Sequence, residues 1–236
     1  MIPLPIHYEE LESIYSNTLG ADYHSVAVTS AEHGEGVSMI AYALARRSAA
    51  AGRRTLLVDL NTASSSVVQR LGLQRAEWSS LDATAMTEIV DLEGIGMSVL
   101  SAPVDIKNIL DIREDENMKH ALNVWRESYD CIVLDTSPLT RSNQGNISPD
   151  LVAGCCDCTV FTVLAGRTAE TKVSEAILRL KKSGANVVGS IINDRHSPSL
   201  INELCRETRR FEKRLPKLMI KLSRFFRNNA FLMQKI

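Results

Sequence analysis

Aromatic residues are scarce in this 236-residue chain, at 5% of positions, and long apolar runs are missing altogether. No run approaches the roughly 18 residues needed to span a bilayer, which excludes an evident transmembrane helix. The opening Met-Ile-Pro-Leu-Pro-Ile-His-Tyr-Glu-Glu has neither a basic n-region nor an apolar h-region, so it does not read as a signal peptide, and a cytoplasmic protein is expected. Cysteines number five, Cys131, Cys155, Cys156, Cys158 and Cys205. An odd count with three of them crowded together argues against a disulfide framework. The Cys155-Cys156-Asp157-Cys158 cluster has no second Cys or His pair at ligand spacing, and small apolar filler is favoured over a zinc site.

Net charge is nearly lacking too, at −1 from 27 basic and 28 acidic residues, which at first excludes a strongly basic partner surface. That sum conceals a division. Residues 206–236 hold ten basic and two acidic residues, +8, which leaves −9 for the rest. At 44% hydrophobic and 23% charged, the chain is expected to fold rather than remain disordered.

Short runs rich in Val, Ile and Leu alternate with segments of helical period, the pattern of an α/β fold with a mostly parallel sheet flanked by helices. Strands are expected at Ser25 to Thr29, Thr55 to Asp59, Met97 to Ser101, Cys131 to Asp135, Thr159 to Leu164 and Val187 to Ile192. Helices are expected at Ser38 to Ala51, Asn117 to Ser128, Thr168 to Ser183 and Ser199 to Arg214, and residues 60–96 read as helix and loop over the sheet edge. The expected division is an N-terminal helical arm over 1–20, one nucleotide-fold domain over 21–205 and a tail over 206–236.

The most informative stretch runs from Ser25 to Ala45: a buried strand, the loop Gly34-Glu35-Gly36, and an alanine-rich helix. Taken alone, the loop fits an ordinary strand-to-helix turn as well as a P-loop. In a working P-loop, backbone N–H groups wrap the β-phosphate of ATP or ADP, and a lysine after the last glycine reaches the β- and γ-oxygens. Here Gly34 and Gly36 are kept, Ser38 keeps a hydroxyl for magnesium, and Val37 stands where the lysine belongs. Two further strands end in acids, Asp59 and Asp135, at the position from which carboxylates hold magnesium or its waters. Another expected strand ends at Asn193, a residue able to read a base edge. Glu35 adds negative charge beside a phosphate unless its side chain turns to solvent.

Thr29-Ser30-Ala31-Glu32-His33-Gly34-Glu35-Gly36-Val37-Ser38, followed by Leu56-Leu57-Val58-Asp59 and Asp135-Thr136-Ser137-Pro138, resembles the MinD and ParA-like branch of P-loop ATPases. Within that branch it is similar to the cytoplasmic domain of the bacterial tyrosine kinases that partner polysaccharide chain-length regulators, over about residues 20–215. The resemblance implies ATP or ADP on the loop, including Glu35, and magnesium on Ser38, Asp59 and Asp135. Several family residues are replaced: the lysine by Val37, the Ser or Thr after the magnesium serine by Met39, and the second acid of Asp-x-Asp by Asn61. The Glu-x-x-Arg-x-x-Arg motif for ring assembly becomes Glu10, Ser13 and Ser16, and the last tyrosine is Tyr129, so the family's C-terminal tyrosine cluster is missing.

Losing a single transition-state donor costs on the order of 100- to 1000-fold in turnover, so a degenerate, non-catalytic relative is expected, with binding of ATP or ADP and magnesium weak or lost. Arg46, Arg47, Arg53, Arg54 or Arg167 could supply the missing charge from elsewhere or from another subunit, but solvated surface charges are the favoured reading. The expected role is an adaptor in exopolysaccharide or capsule assembly, binding a membrane chain-length regulator or other polysaccharide-assembly protein, with homo-oligomers open. The alternatives are a weakly active autokinase or ATPase and a MinD-like positioning factor. In the tail, Leu218, Leu222, Phe225, Phe226, Leu232, Met233 and Ile236 fall on one helical arc, opposite Lys217, Lys221, Arg224, Arg227 and Lys235. Such a basic amphipathic helix suits an anionic membrane surface or a membrane-protein partner; packing on the sheet is the rival, and nucleic acid is disfavoured.

Overall fold

The computed structural model describes residues 4–62, 67–81, 84–141 and 146–194. The chain divides into two compact units, Met1–Leu164 with Thr168–Asn193, and Ala165–Arg167 with Asp194–Ile236. In the second, the described residues are a turn at Ala165–Arg167, with Gly166 at φ 70°, and Asp194. The expected helix at Ser199 to Arg214 and the basic tail lie outside the described residues.

The first unit runs α1 (Glu9–Ser16), β1 (Ser25–Ser30), α2 (Val37–Ala50), β2 (Thr55–Asp59), α3 (Val67–Arg70), α4 (Thr84–Thr87), β3 (Val90–Leu92) and β4 (Met97–Ser101). It continues with α5 (Ile106–Asp111), α6 (Asp115–Ser128), β5 (Cys131–Asp135), α7 (Pro149–Cys155), β6 (Cys158–Leu164), α8 (Glu170–Lys182) and β7 (Val187–Asn193). Seven strands form one sheet in the order β3-β4-β2-β5-β1-β6-β7. All neighbours are parallel except β3 on β4, a short antiparallel edge pair at Val90↔Val99. The six expected strands are present within one residue at each end. The stretch expected to be only helix and loop also holds β3, whose three residues are too few for a period to show.

Both faces of the sheet are covered, which is why its inner strands read as unbroken apolar runs rather than alternating ones. Ala27, Leu56, Val58, Leu100, Ile132, Leu134 and Phe161 point into one core. Their chain neighbours Val26, Val28, Leu57, Val99, Val133 and Val160 point into the other. Trp78 and Trp125, both at most 1% exposed, meet edge to face in the first core with ring centroids 5.9 Å apart. Both tryptophans thus stand where their area is fully removed from water.

Asp157 ties together the amino ends of β1 and β6. Its Oδ2 accepts the N–H groups of His24 at 2.9 Å and Ser25 at 2.8 Å, and its Oδ1 accepts from Arg126 at 2.7 Å. Burial alone would raise this carboxyl, but the Ser25 N–H, the Arg126 charge and the His24 N–H outweigh it and hold it below its ordinary 3.8. Asp157→Ala is expected to cost about 2–3 kcal/mol, because it leaves two amides unpaired and takes the carboxylate from Arg126, which among the described residues keeps only the Ser25 hydroxyl at 3.0 Å. Thermal unfolding at pH 7 should show a loss of roughly 5–10 °C. A depressed acid stabilises the fold above its unfolded value and loses that effect as pH falls, so the gap between wild type and variant should close below pH 3.8.

Candidate functional site

The carboxyl ends of β1, β2 and β5 meet at the middle of the sheet, beside the loop that leads from β1 into α2. Ser30 Oγ donates to the Glu32 carbonyl at 2.8 Å, and Thr140 Oγ1 donates to that of Ala31 at 2.8 Å, so the loop leaves the strand in a fixed direction. Gly34 and Gly36 then take φ of 86° and 100°, left-handed values that favour glycine. Gly36 is doubly constrained, since a Cβ there would stand 2.7 Å from Asn193 Nδ2. Gly36 also caps α2 without a side chain, and the first amides of that helix have no intrahelical acceptor. A helix start with this geometry presents aligned N–H dipoles to an anion.

Val37 is 8% exposed and lies in the apolar cluster of Val26, Val28, Ile40, Val67 and Val68. The side chain in the lysine's position is therefore core. Ser38, equally buried, faces Asp135. Asp59 and Asp135 stand abreast on β2 and β5, in register, at 1% and 0% exposure. Asp59 accepts N–H groups from Asn61 at 3.2 Å and from Val68 at 2.8 Å. Among the described residues, neither oxygen of Asp135 has a hydrogen-bond partner. Burial first, and the Asp59 carboxylate second, hold Asp135 well above the usual carboxylate range, against the pull of the Ser38 hydroxyl and the Arg70 charge. A buried carboxylate with two unmet oxygens has the donor character that a hard divalent cation requires, with Ser38 and Asp59 beside it. The residues present thus fit magnesium and the backbone fits a phosphate, while the side-chain cation for the phosphate is missing from the loop.

One expected site residue is placed differently. Glu35 is 1% exposed rather than turned to solvent, and its Oε2 accepts the Glu32 N–H at 3.1 Å while its Oε1 accepts the Thr168 hydroxyl. Asn193 ends β7 as expected, and its Nδ2 donates to the Glu35 carbonyl at 3.0 Å, which ties the residue to the loop. Thr168 was not legible as a partner, since 133 residues separate it from Glu35.

Four of the five arginines expected as substitutes for the lysine are engaged elsewhere. Arg47 pairs with Glu12 at 2.6 Å over the Tyr15 ring, and Arg46 lies over Tyr42. Both sit near the far end of α2, about 14 Å along its axis from Val37. Arg53 donates to the Leu19 carbonyl and Cys131 Sγ, and Arg54 pairs with Asp130. Arg54 precedes β2, about 16 Å of extended chain from Asp59. Arg167 belongs to the second unit. Sequence reasoning passed over Arg70, at the end of α3, whose charge acts on Asp135; it lies in a stretch of weak periodicity. In the cysteine cluster, Cys156 and Cys158 are buried in apolar surroundings, and burial pushes the Cys158 thiol up to about 12.

No protein-family model matches the chain. Among curated proteins it is 26% identical to the tyrosine-protein kinase CpsD of Streptococcus agalactiae, over 180 residues that make up 74% of this chain and 76% of that one. Its relatives are bacterial tyrosine-protein kinases. Among solved structures, the chimerical protein CapA2B2 superposes with a TM-score of 0.67 at 23% identity, covering 78% of this chain and 83% of that one. The septum site-determining protein MinD of Pyrococcus horikoshii OT3, complexed with Mg-ADP, gives 0.57 at 18% identity, covering 74% and 71%. The fold is that of the MinD-like P-loop ATPases, and in this chain Val37 follows the second glycine of the loop.

Proposed function

We propose that this chain is a lysine-less member of the capsule and exopolysaccharide tyrosine-kinase group that serves as an adaptor, binding a membrane polysaccharide-assembly protein rather than transferring phosphate. The observation that carries the reading is Val37, buried among valines at the start of α2, with Arg46, Arg47, Arg53 and Arg54 held away from the strand ends. When bound, magnesium would offset phosphate charge. Ser38, Asp59 and Asp135 are the residues that would hold it, and the amides of residues 34–38 would orient the phosphates. What this chain's own side chains do not offer at the loop is a positive charge that strengthens as the γ-phosphoryl group leaves.

Calorimetry of ATP with and without magnesium, on wild type and Val37→Lys, tests the reading: weak or absent binding by wild type and a gain in the variant are expected. Micromolar, magnesium-dependent binding by wild type, with turnover abolished by Asp135→Ala, would overturn it. If that turnover were also lost in Arg70→Ala, a slow enzyme using Arg70 as its cation would be the better reading. Arg70 is the cation whose charge reaches Asp135.

Among the described residues no helix is long and apolar enough to cross a membrane. We assign membrane contact, at the inner face of the plasma membrane, to the basic tail on the strength of its sequence alone. Full-length protein should pellet with anionic vesicles, and a chain truncated after Leu215 should stay in the supernatant. Equal pelleting of both would remove the tail from the model of recruitment.

A further inference from the structure

We infer that Glu35 is a positioning residue: through Thr168 and Asn193 it fastens the lysine-less phosphate loop to the carboxyl ends of the neighbouring strands β6 and β7 and so holds the loop formed before any ligand arrives. The inference deepens the nucleotide-fold reading, on which its anion-binding consequence rests.

Four observations converge on it. The Glu35 side chain is 1% exposed although it sits at the crest of a loop, between two left-handed glycines that turn it inward. Its carboxylate is shared between two donors, the Glu32 N–H within the loop and the Thr168 hydroxyl outside it. Thr168 is itself anchored, because its N–H donates to the Leu164 carbonyl at the end of β6 at 3.1 Å. From the next strand, Asn193 Nδ2 donates to the Glu35 carbonyl and fills the space a side chain at Gly36 would need. The residue is thus held by its side chain toward β6 and by its carbonyl toward β7.

The chemistry explains why an acid is tolerated there. A carboxylate beside a phosphate repels it unless donors consume its lone pairs, and here an amide and a hydroxyl take one oxygen each. With valine at position 37, affinity for an anion falls to backbone N–H groups, which act only when the loop keeps them convergent. The latch therefore does for preorganisation what a lysine would partly do by charge.

Hydrogen exchange on the full chain decides it. Glu35→Gln removes the charge that strengthens both contacts, while its amide can still accept the Glu32 N–H and donate to the Thr168 hydroxyl, and Thr168→Val removes the outer contact outright. Each should speed exchange of the amides of residues 32–38 by on the order of ten- to a hundredfold, the effect of one lost hydrogen bond to a charged group. Exchange in β2 and β5 should not change, and Thr168→Ser should restore the loop. In the Val37→Lys background, Glu35→Gln should weaken magnesium-ATP binding by about tenfold. Loop exchange unchanged in both Glu35→Gln and Thr168→Val would overturn the latch. So would acceleration spread evenly over the sheet in both, which marks a general stability role. Failure of Val37→Lys to bind ATP would count against the nucleotide reading alone, because exchange reads the latch without a ligand.

Discussion

Val37→Lys raises the affinity for ATP with magnesium by about ten- to a hundredfold, the range of one charge-assisted hydrogen bond set in a water-poor site. The same change lowers the stability of the free protein. Val37 contributes its methyl groups to the cluster of Val26, Val28, Ile40 and Val68. A lysine stem keeps part of that contact while its ammonium leaves the apolar surroundings toward the carboxylates Asp59 and Asp135. The cost of drawing that ammonium out of bulk water is about 1–3 kcal/mol when no phosphate is present. Thermal unfolding should therefore show a lower Tm for the free variant and a larger rise on adding ATP and magnesium than wild type shows. A variant that is as stable as wild type and gains no affinity would mean that the loop has lost more than its lysine.

Asp135→Asn stabilises the free protein. Most substitutions of a fully buried residue do the opposite, but here both oxygens of the native carboxylate lack partners among the described residues and Asp59 stands in register beside it. An amide of nearly the same shape removes one of two adjacent buried charges. The expected gain is about 1–3 kcal/mol at pH 7, on the order of 5 °C in Tm. The sign with pH follows from the direction of the shift. Asp135 is held above its ordinary 3.8 by burial and then by Asp59, so its protonated form favours the fold below that value, and the benefit is lost as pH rises through the folded-state value. Asparagine does not titrate. The stability gap between the two proteins should therefore be small at pH 4 and widen toward pH 8. Millimolar magnesium should raise the Tm of wild type and leave that of Asp135→Asn unmoved, the usual exchange of stability for a site. A fall in Tm on substitution at pH 7 would show that the carboxylate is better served by its surroundings than this account allows.

How much was legible in the chain depends on how local the cause was. The inner strands were legible because residues such as Leu56-Leu57-Val58 alternate between two cores that are both dry, which writes a continuous apolar run into the sequence. Helix α2 was legible from its alanines and the glycines before it. The short elements were not: α5, α7 and β3, at 6, 7 and 3 residues, each hold fewer than two periods of their own pattern and are shaped by what they pack on. Gly34, Gly36, Ser38, Asp59 and Asp135 could be picked out because each follows a strand or opens a helix. Glu35 and Asn193 could be picked out too, but their partners could not.

What the sequence determined by itself is the list of parts: a parallel α/β sheet, a glycine loop followed by valine, two acids at strand ends and a +8 tail on a −9 body. These are properties of composition and short-range period, which each stretch of chain carries without reference to the rest. Tertiary structure alone decided that Val37 belongs to the core, that Asp59 and Asp135 share one desolvated corner, that Arg46, Arg47, Arg53 and Arg54 are committed elsewhere, and that Glu35 turns inward onto Thr168. The reason is distance along the chain. Desolvation and pairing depend on which groups come within a few ångströms, and here Asp59 and Asp135 lie 76 residues apart and Glu35 and Thr168 lie 133 apart.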